Sequence, residues 1–131
     1  MNKAMNKTMN KTMNKTMNKK AEISWADFEK VDMRVGTVTN AEAFPEARRP
    51  AIKVWIDFGE NIGELKTSAQ ITDLYEPANL VGRQVIAVVN FPKKQIGPFM
   101  SECLILGVVG GEGGIVLLQP ERDTPNGFAI A

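Results

Sequence analysis

Arg83–Leu106, RQVIAVVNFPKKQIGPFMSECLIL, constrains the fold more than any other part of the sequence. Val85–Phe91 is a strongly apolar run, and within it Val85–Val89 is apolar on both faces of an extended chain, as in a central strand covered on both sides. A second apolar run follows at Cys103–Leu106. Between the two, Pro92, Lys93, Lys94, Gly97, Pro98, Phe99 and Met100 form a loop that sets positive charge beside exposed apolar groups. A rigid core presenting a basic, apolar loop has the layout of a binding device.

The segments before it read as strands and one capped turn of helix. Ser24-Trp25-Ala26-Asp27 matches a capping box, in which the first side chain and the fourth each bond the other's backbone N–H. A short helix over residues 24–30 follows, with Trp25, Phe28 and Val31 expected to face inward. Val31, Met33 and Val35 alternate with polar residues and lead through Val38, a first strand in which Gly36 marks a bulge or a close backbone approach. The proline-flanked loop AFPEARRP carries Arg48 and Arg49 next to Phe44, either as an exposed mixed-charge loop or facing a ligand. Ile52, Val54, Ile56 and Phe58 alternate toward the core and leave Lys53, Trp55 and Asp57 outside. An outward Trp beside a lysine stacks a base, packs a peptide or seals a dimer. Leu65, Thr67, Ala69 and Ile71 make a third strand whose outer face carries Lys66, Ser68 and Gln70.

Pro77 at the first turn and Gly82 at the end bracket a short helix, after which the Val85 strand begins. Leu106–Val109 and Ile115–Leu118 read as strands joined by a hairpin across Gly110–Gly114, since no helix follows to make a phosphate loop. The order strand, strand, strand, short helix, strand, strand predicts an all-β fold with short helices, a five-stranded Greek-key OB-fold barrel. Barrels of this kind use one strand face and its connecting loops for extended ligands.

Composition narrows the function. At 131 residues the chain makes one domain. It has no histidine, which removes Ser-His and Cys-His nucleophile systems and the commonest metal ligand. The acidic residues form no paired motif, and the single cysteine, Cys103, lies in an apolar run as a packing residue. The expectation is a protein without catalytic residues, metal or cofactor. No apolar run is long enough to span a bilayer and no secretory signal is visible, so a cytoplasmic protein without membrane insertion is expected.

Residues 1–20 are a four-residue repeat, MNKA, MNKT three times, then MNKK. They hold six lysines and no acid, so the overall charge of +1 leaves −5 for residues 21–131. Such a body is not a general polyanion binder; RNA would need a local basic patch. The repeat cannot build a core and is read as an appended tail, with the domain at residues 21–131. Its methionines are expected either to dock in an apolar groove of this or a neighbouring protomer, lysines toward acidic surface, or to make only lattice contacts.

The motifs VDMRVGTV, AFPEARRPAIKVWIDFG, KTSAQIT, ANLVGRQVIAVVNF and PKKQIGPFMSE resemble the bacterial tRNA-binding-domain family, and within it the CsaA-type secretion chaperones. The resemblance covers about residues 22–131 and implies an OB-fold with helical and C-terminal extensions that form a homodimer. It further implies an export-related chaperone that binds unfolded or presecretory peptides, with tRNA binding as the older activity. Relatives in methionyl-tRNA synthetase carry His-Pro-x-Ala-Asp-Lys-Leu and Ser-Glu-Gly-Met segments. Here these read Phe44-Pro45-Glu46-Ala47-Arg48-Arg49-Pro50 and Ser101-Glu102-Cys103-Leu104, without the histidine and the glycine.

Three readings follow. A peptide site would use Phe44, Trp55, Phe99 and Met100 bordered by Arg48, Arg49, Lys93 and Lys94, since Met and aromatic groups adapt to varied apolar ligands. A tRNA site would use Lys53, Lys66, Ser68, Asn90, Lys93, Lys94 and Ser101, with Trp55 as a stacking platform. In the third, the apolar outer residues serve only dimerisation.

Overall fold

The computed structural model describes residues 18–111 and 113–131. The docking expected of the N-terminal repeat therefore lies almost wholly outside the described residues.

Helix α1 (Trp25–Glu29) opens the domain with the expected capping box: Ser24 Oγ accepts from the Asp27 N–H at 3.1 Å, and Asp27 Oδ2 accepts from the Ser24 N–H at 3.4 Å. Its expected inward face is not inward, however. The helix has no buried residue, and Trp25 is 83% exposed. Five residues are too few to wrap an apolar stripe around a core, so the helix stands on the surface.

Strands β1 (Met33–Ala43), β2 (Ile52–Asp57), β3 (Glu64–Ala69), β4 (Gln84–Val88) and β7 (Leu104–Ile105) make one antiparallel sheet in the order β3-β2-β1-β4-β7. Between β3 and β4 lies helix α2 (Pro77–Leu80), with Gly82 at its exit in the left-handed region. This is the expected OB-fold barrel, nearly closed. β1, not β4, holds the centre of the sheet, because its eleven residues are long enough to pair β4 with the first half and β2 with the second.

The core follows the alternation of β2: Ile52, Val54 and Ile56 are buried, and Val38, Phe58, Leu80, Val85 and Ala87 pack with them. Gly36 is a close approach, since a Cβ there would lie 2.5 Å from Ile56 Cγ2; the bulge of β1 falls between Val38 and Asn40 instead. The barrel seam is sealed beside β3. The Glu102 N–H donates to the Lys66 carbonyl at 2.7 Å, and the buried Thr67 hydroxyl donates to the Cys103 carbonyl at 2.6 Å.

Two features lie outside the barrel sheet. The loop after β4 contains a hairpin, β5 (Lys94–Ile96) and β6 (Phe99–Ser101), where the sequence suggested an irregular loop. Its turn needs Gly97, at φ +57°. The expected glycine hairpin joins β8 (Gly107–Val108) to β9 (Val116–Leu117). The C-terminal segment then runs back along β1, with Gly127 N–H on the Val35 carbonyl at 2.7 Å and Ile130 N–H on the Met33 carbonyl at 2.9 Å.

Candidate binding face

The pairing of β2 with β3 sets Trp55 opposite Lys66 and Lys53 opposite Ser68, so these four share the outer face of the sheet. Hairpin β5–β6 lies over that face and hangs on one aromatic cluster. The Phe99 ring sits 5.5 Å from Phe44 and 5.9 Å from Trp55, edge to face in both cases. Lys53 Nζ lies 4.9 Å from the Phe44 ring and 5.5 Å from Phe99, and Lys66 Nζ lies 5.2 Å from Phe99. An ammonium over a ring face is attracted to its π density, by about 0.5–1 kcal/mol at exposed sites.

Here the structure departs from the sequence reading. Phe44 is 3% and Phe99 is 6% exposed; with Ala51 they form a small core of their own. The expected exposed apolar pair is a packed pair, because the Gly97 turn folds the hairpin back onto the β1–β2 loop. Trp55 is half-buried and packed against the same cluster. Met100 is half-buried opposite Gln95 in the hairpin.

Two grooves flank the hairpin. The first, about 620 Å³, is lined by Arg48, Arg49, Gln95 and Gly97 among others; the second, about 490 Å³, by Phe91, Pro92, Lys93, Ser101 and Leu104. Ser68, Gln70, Lys94 and Ile96 border both, so the two share a wall. Of the residues singled out from sequence, Arg48, Arg49, Ser68, Lys93, Lys94 and Ser101 thus come together. Lys53 and Lys66 sit beside them on the aromatic cluster. Asn90 does not join them: its side chain donates to the Lys30 carbonyl at 2.7 Å and accepts from the Asp32 N–H at 3.1 Å, fastening helix α1 to the end of β4.

Phe91, Gln70, Gln95, Ile96, Leu104 and Glu102 were missed. Phe91 and Leu104 read as members of apolar strand runs, yet they are 54% and 48% exposed. Only the place of each in its run, Phe91 at the end next to Pro92 and Leu104 directly after Cys103, hinted at this. Glu102 is the hinge of the site. Its Oε1 accepts from the Lys66 N–H at 3.1 Å, while Oε2 pairs with Lys93 Nζ at 3.5 Å. Ser101 Oγ stands 3.0 Å from the Thr67 hydroxyl and 3.4 Å from the Ser68 N–H. Burial, reinforced by the Glu102 charge, pushes the Cys103 thiol up to about 12, so it stays protonated at neutral pH. Among the described residues no three His, Cys, Asp or Glu side chains converge as metal ligands. No described helix is long and apolar enough to cross a membrane.

A second apolar surface lies away from the hairpin. Trp25, Phe28, Val31, Met33 and Ile130 line a groove of about 590 Å³ between helix α1 and the C-terminal segment. Ile23 and Phe128 add exposed apolar groups elsewhere on the same two extensions.

Residues 33–129 match the family described as "Putative tRNA binding domain". The chain belongs to the tRNA-binding-domain family. It is 36% identical over 111 residues to methionine–tRNA ligase of Chlorobium limicola, an alignment covering 85% of this chain and 15% of that enzyme. The chain thus spans a small part of the curated relatives it matches, and the family module itself is not the catalytic part of those enzymes. Among solved structures, the chaperone CsaA of Bacillus anthracis superposes with a TM-score of 0.79 at 51% identity, covering 85% of this chain and all of that one. CsaA of Picrophilus torridus gives 0.78 at 46% identity, with 84% and full coverage. A methionyl-tRNA synthetase-related protein of Pyrococcus horikoshii gives 0.75 at 27%, with 86% and full coverage.

Proposed function

We propose that this chain is an export-related molecular chaperone that holds unfolded or presecretory polypeptides in extended form along the two grooves beside hairpin β5–β6. The observation that carries the reading is the adjacency of those grooves. A single wall of Ser68, Gln70, Lys94 and Ile96 lines both, so apolar and basic groups meet on the two sides of one hairpin. Among the described residues β5 is paired on one side only, by β6, so its other edge offers N–H and C=O groups of Lys94–Ile96 to an extended chain. Phe91, Ile96 and Leu104 supply apolar contact, while Arg48, Arg49, Lys93 and Lys94 attract acidic or polar flanks. Phe44, Phe99 and Trp55 act beneath them by fixing the hairpin. The full coverage of two CsaA chaperones at 46–51% identity supports the same reading.

The working unit of this proposal is a cytoplasmic homodimer. An indole 83% exposed beside Val31 and Ile130 is the kind of apolar group that a second copy covers. The test of the peptide site is a fluorescence titration with a labelled unfolded peptide. Phe91→Ser should weaken binding about tenfold with little response to salt, as expected for losing one largely buried aromatic contact. Unchanged affinity in Phe91→Ser and Leu104→Ser alike contradicts the site.

A tRNA-binding module is the alternative, favoured by one observation. Arg48, Arg49, Lys53, Lys66, Lys93 and Lys94 gather around one hairpin of a body that is otherwise acidic. Lys93→Ala with Lys94→Ala should then cripple tRNA affinity and only modestly affect peptide. If both affinities stay unchanged, the lysines hold neither ligand.

A further inference from the structure

The C-terminal segment holds one pair of residues that neither binding reading uses. Asn126 is the one asparagine of this sequence that precedes a glycine. An asparagine cyclises when the backbone nitrogen of the next residue attacks its side-chain Cγ, and a glycine there leaves that approach unobstructed. The fold demands both members of the pair. Gly127 turns at φ +89°, and a Cβ on it would overlap the Phe58 carbonyl oxygen. Asn126 Oδ1 accepts from the Thr37 hydroxyl at 2.8 Å and from Gln84 Nε2 at 3.2 Å, which ties the segment to β1 and β4.

We propose that Asn126–Gly127 is a site of spontaneous deamidation, gated by detachment of the C-terminal segment from β1. While the segment is docked, two restraints hold the reaction back. The Gly127 N–H must lose its proton to attack, and it donates to the Val35 carbonyl at 2.7 Å. The Asn126 carboxamide is held by Thr37 and Gln84 and cannot turn toward that nitrogen. A terminal segment along a strand edge opens locally without unfolding the rest of a domain, and opening removes both restraints. The Gly127 nitrogen then bonds to Asn126 Cγ. Its proton ends on the side-chain nitrogen, which leaves as ammonia, and a succinimide remains. Water adds to one imide carbonyl and breaks its C–N bond, giving aspartate or isoaspartate. An open cavity of about 300 Å³ lined by Asn61, Asn126 and Gly127 admits that water.

The two products differ in their effect on the segment. Aspartate keeps the backbone length and an acceptor for Thr37 and Gln84, so the segment docks again. Isoaspartate routes the backbone through the side chain and lengthens it by one carbon. Beyond that point the Val35 N–H bonds the Phe128 carbonyl at 3.0 Å, and the Ile130 N–H bonds the Met33 carbonyl at 2.9 Å. These bonds lose their register, and Ile130 leaves the groove it shares with helix α1.

The experiment keeps the full chain folded at mildly alkaline pH, which favours loss of the Gly127 proton, and follows Asn126 by peptide mass spectrometry over several weeks. In urea Asn126 should react faster than any other asparagine of the chain. In the folded chain it should react at least tenfold more slowly than in urea, because only the opened fraction is competent. Thr37→Val removes one of the two donors while keeping the side-chain shape. It should speed the folded-state reaction about fivefold, as expected for one ordinary hydrogen bond, and leave the rate in urea unchanged. Asn126→Gln, whose longer side chain closes the ring poorly, should stay unmodified. The aspartate and isoaspartate forms are then separated, and hydrogen exchange is measured at the Val35 and Ile130 amides. Exchange should be faster in the isoaspartate form and parent-like in Asn126→Asp. No reaction at Asn126 in the folded chain overturns the site. Equal rates folded and in urea, or a folded-state rate indifferent to Thr37→Val, overturn the gating. Parent-like exchange in the isoaspartate form overturns the loss of register.

Discussion

Phe99 lies edge to face with both Phe44 and Trp55 and beneath two lysine ammonium groups, so its ring links the hairpin, the β1–β2 loop and the outer face of β2. Phe99→Ala should destabilise the domain by about 3 kcal/mol in denaturant unfolding, the usual loss for a buried phenylalanine. Phe91→Ser, at an exposed position, should stay within about 0.5 kcal/mol of the parent. Equal losses from the two would mean that Phe99 is not the anchor. Glu102 makes a separate point: glutamine there keeps an acceptor for the Lys66 N–H and frees Lys93 from its carboxylate. Because Lys93 is largely exposed, the pair itself contributes little stability. E102Q should therefore leave the melting temperature nearly unchanged while steepening the salt dependence of tRNA binding by about one counterion. Cys103 adds a pH signature. Its folded pKa is raised to about 12 from an ordinary value near 9, so above pH 9 the unfolded thiol ionises while the folded one does not. Its contribution to stability is complete below pH 9 and is lost progressively toward pH 12. Cys103→Ser should flatten that part of the stability–pH curve, measured by urea unfolding.

At the scale of elements, helix α1 and the C-terminal segment differ from the barrel in leaving apolar groups uncovered. Trp25→Ser should lower the mass measured by sedimentation toward that of one protomer without lowering the thermal stability of a protomer, since the indole is largely exposed on a helix with no buried residue. A mass unaffected by the change contradicts a dimer through this surface. The contrast with the barrel also explains what could be read from sequence. The strands of the barrel alternate as Ile52, Val54 and Ile56 do, because each has one face on the core and one outside. Helix α1 is periodic too, with apolar groups three residues apart, yet periodicity says only that a face is apolar, not whether this chain or another covers it. The capping box was legible because it is local, made within four residues. The burial of Phe44 and Phe99 was not. It depends on a two-residue turn at Gly97 bringing together segments more than fifty residues apart in sequence, and nothing near either ring records that contact.

For the whole molecule, the unequal distribution of charge matters more than its sum. A net charge of +1 hides an acidic domain, a basic side around one hairpin and a cationic N-terminal repeat. Peptide and RNA would meet the same hairpin through different forces, one mainly by apolar burial and strand pairing, the other by phosphate neutralisation. The grooves beside β5–β6 are the centre of this account. The most direct measurement is the affinity of the full chain for a labelled unfolded peptide at low and at high salt, with Phe91→Ser beside it. A peptide affinity that changes little with salt and drops about tenfold in Phe91→Ser is the predicted result. An affinity that vanishes at high salt, or that ignores Phe91→Ser, would contradict it.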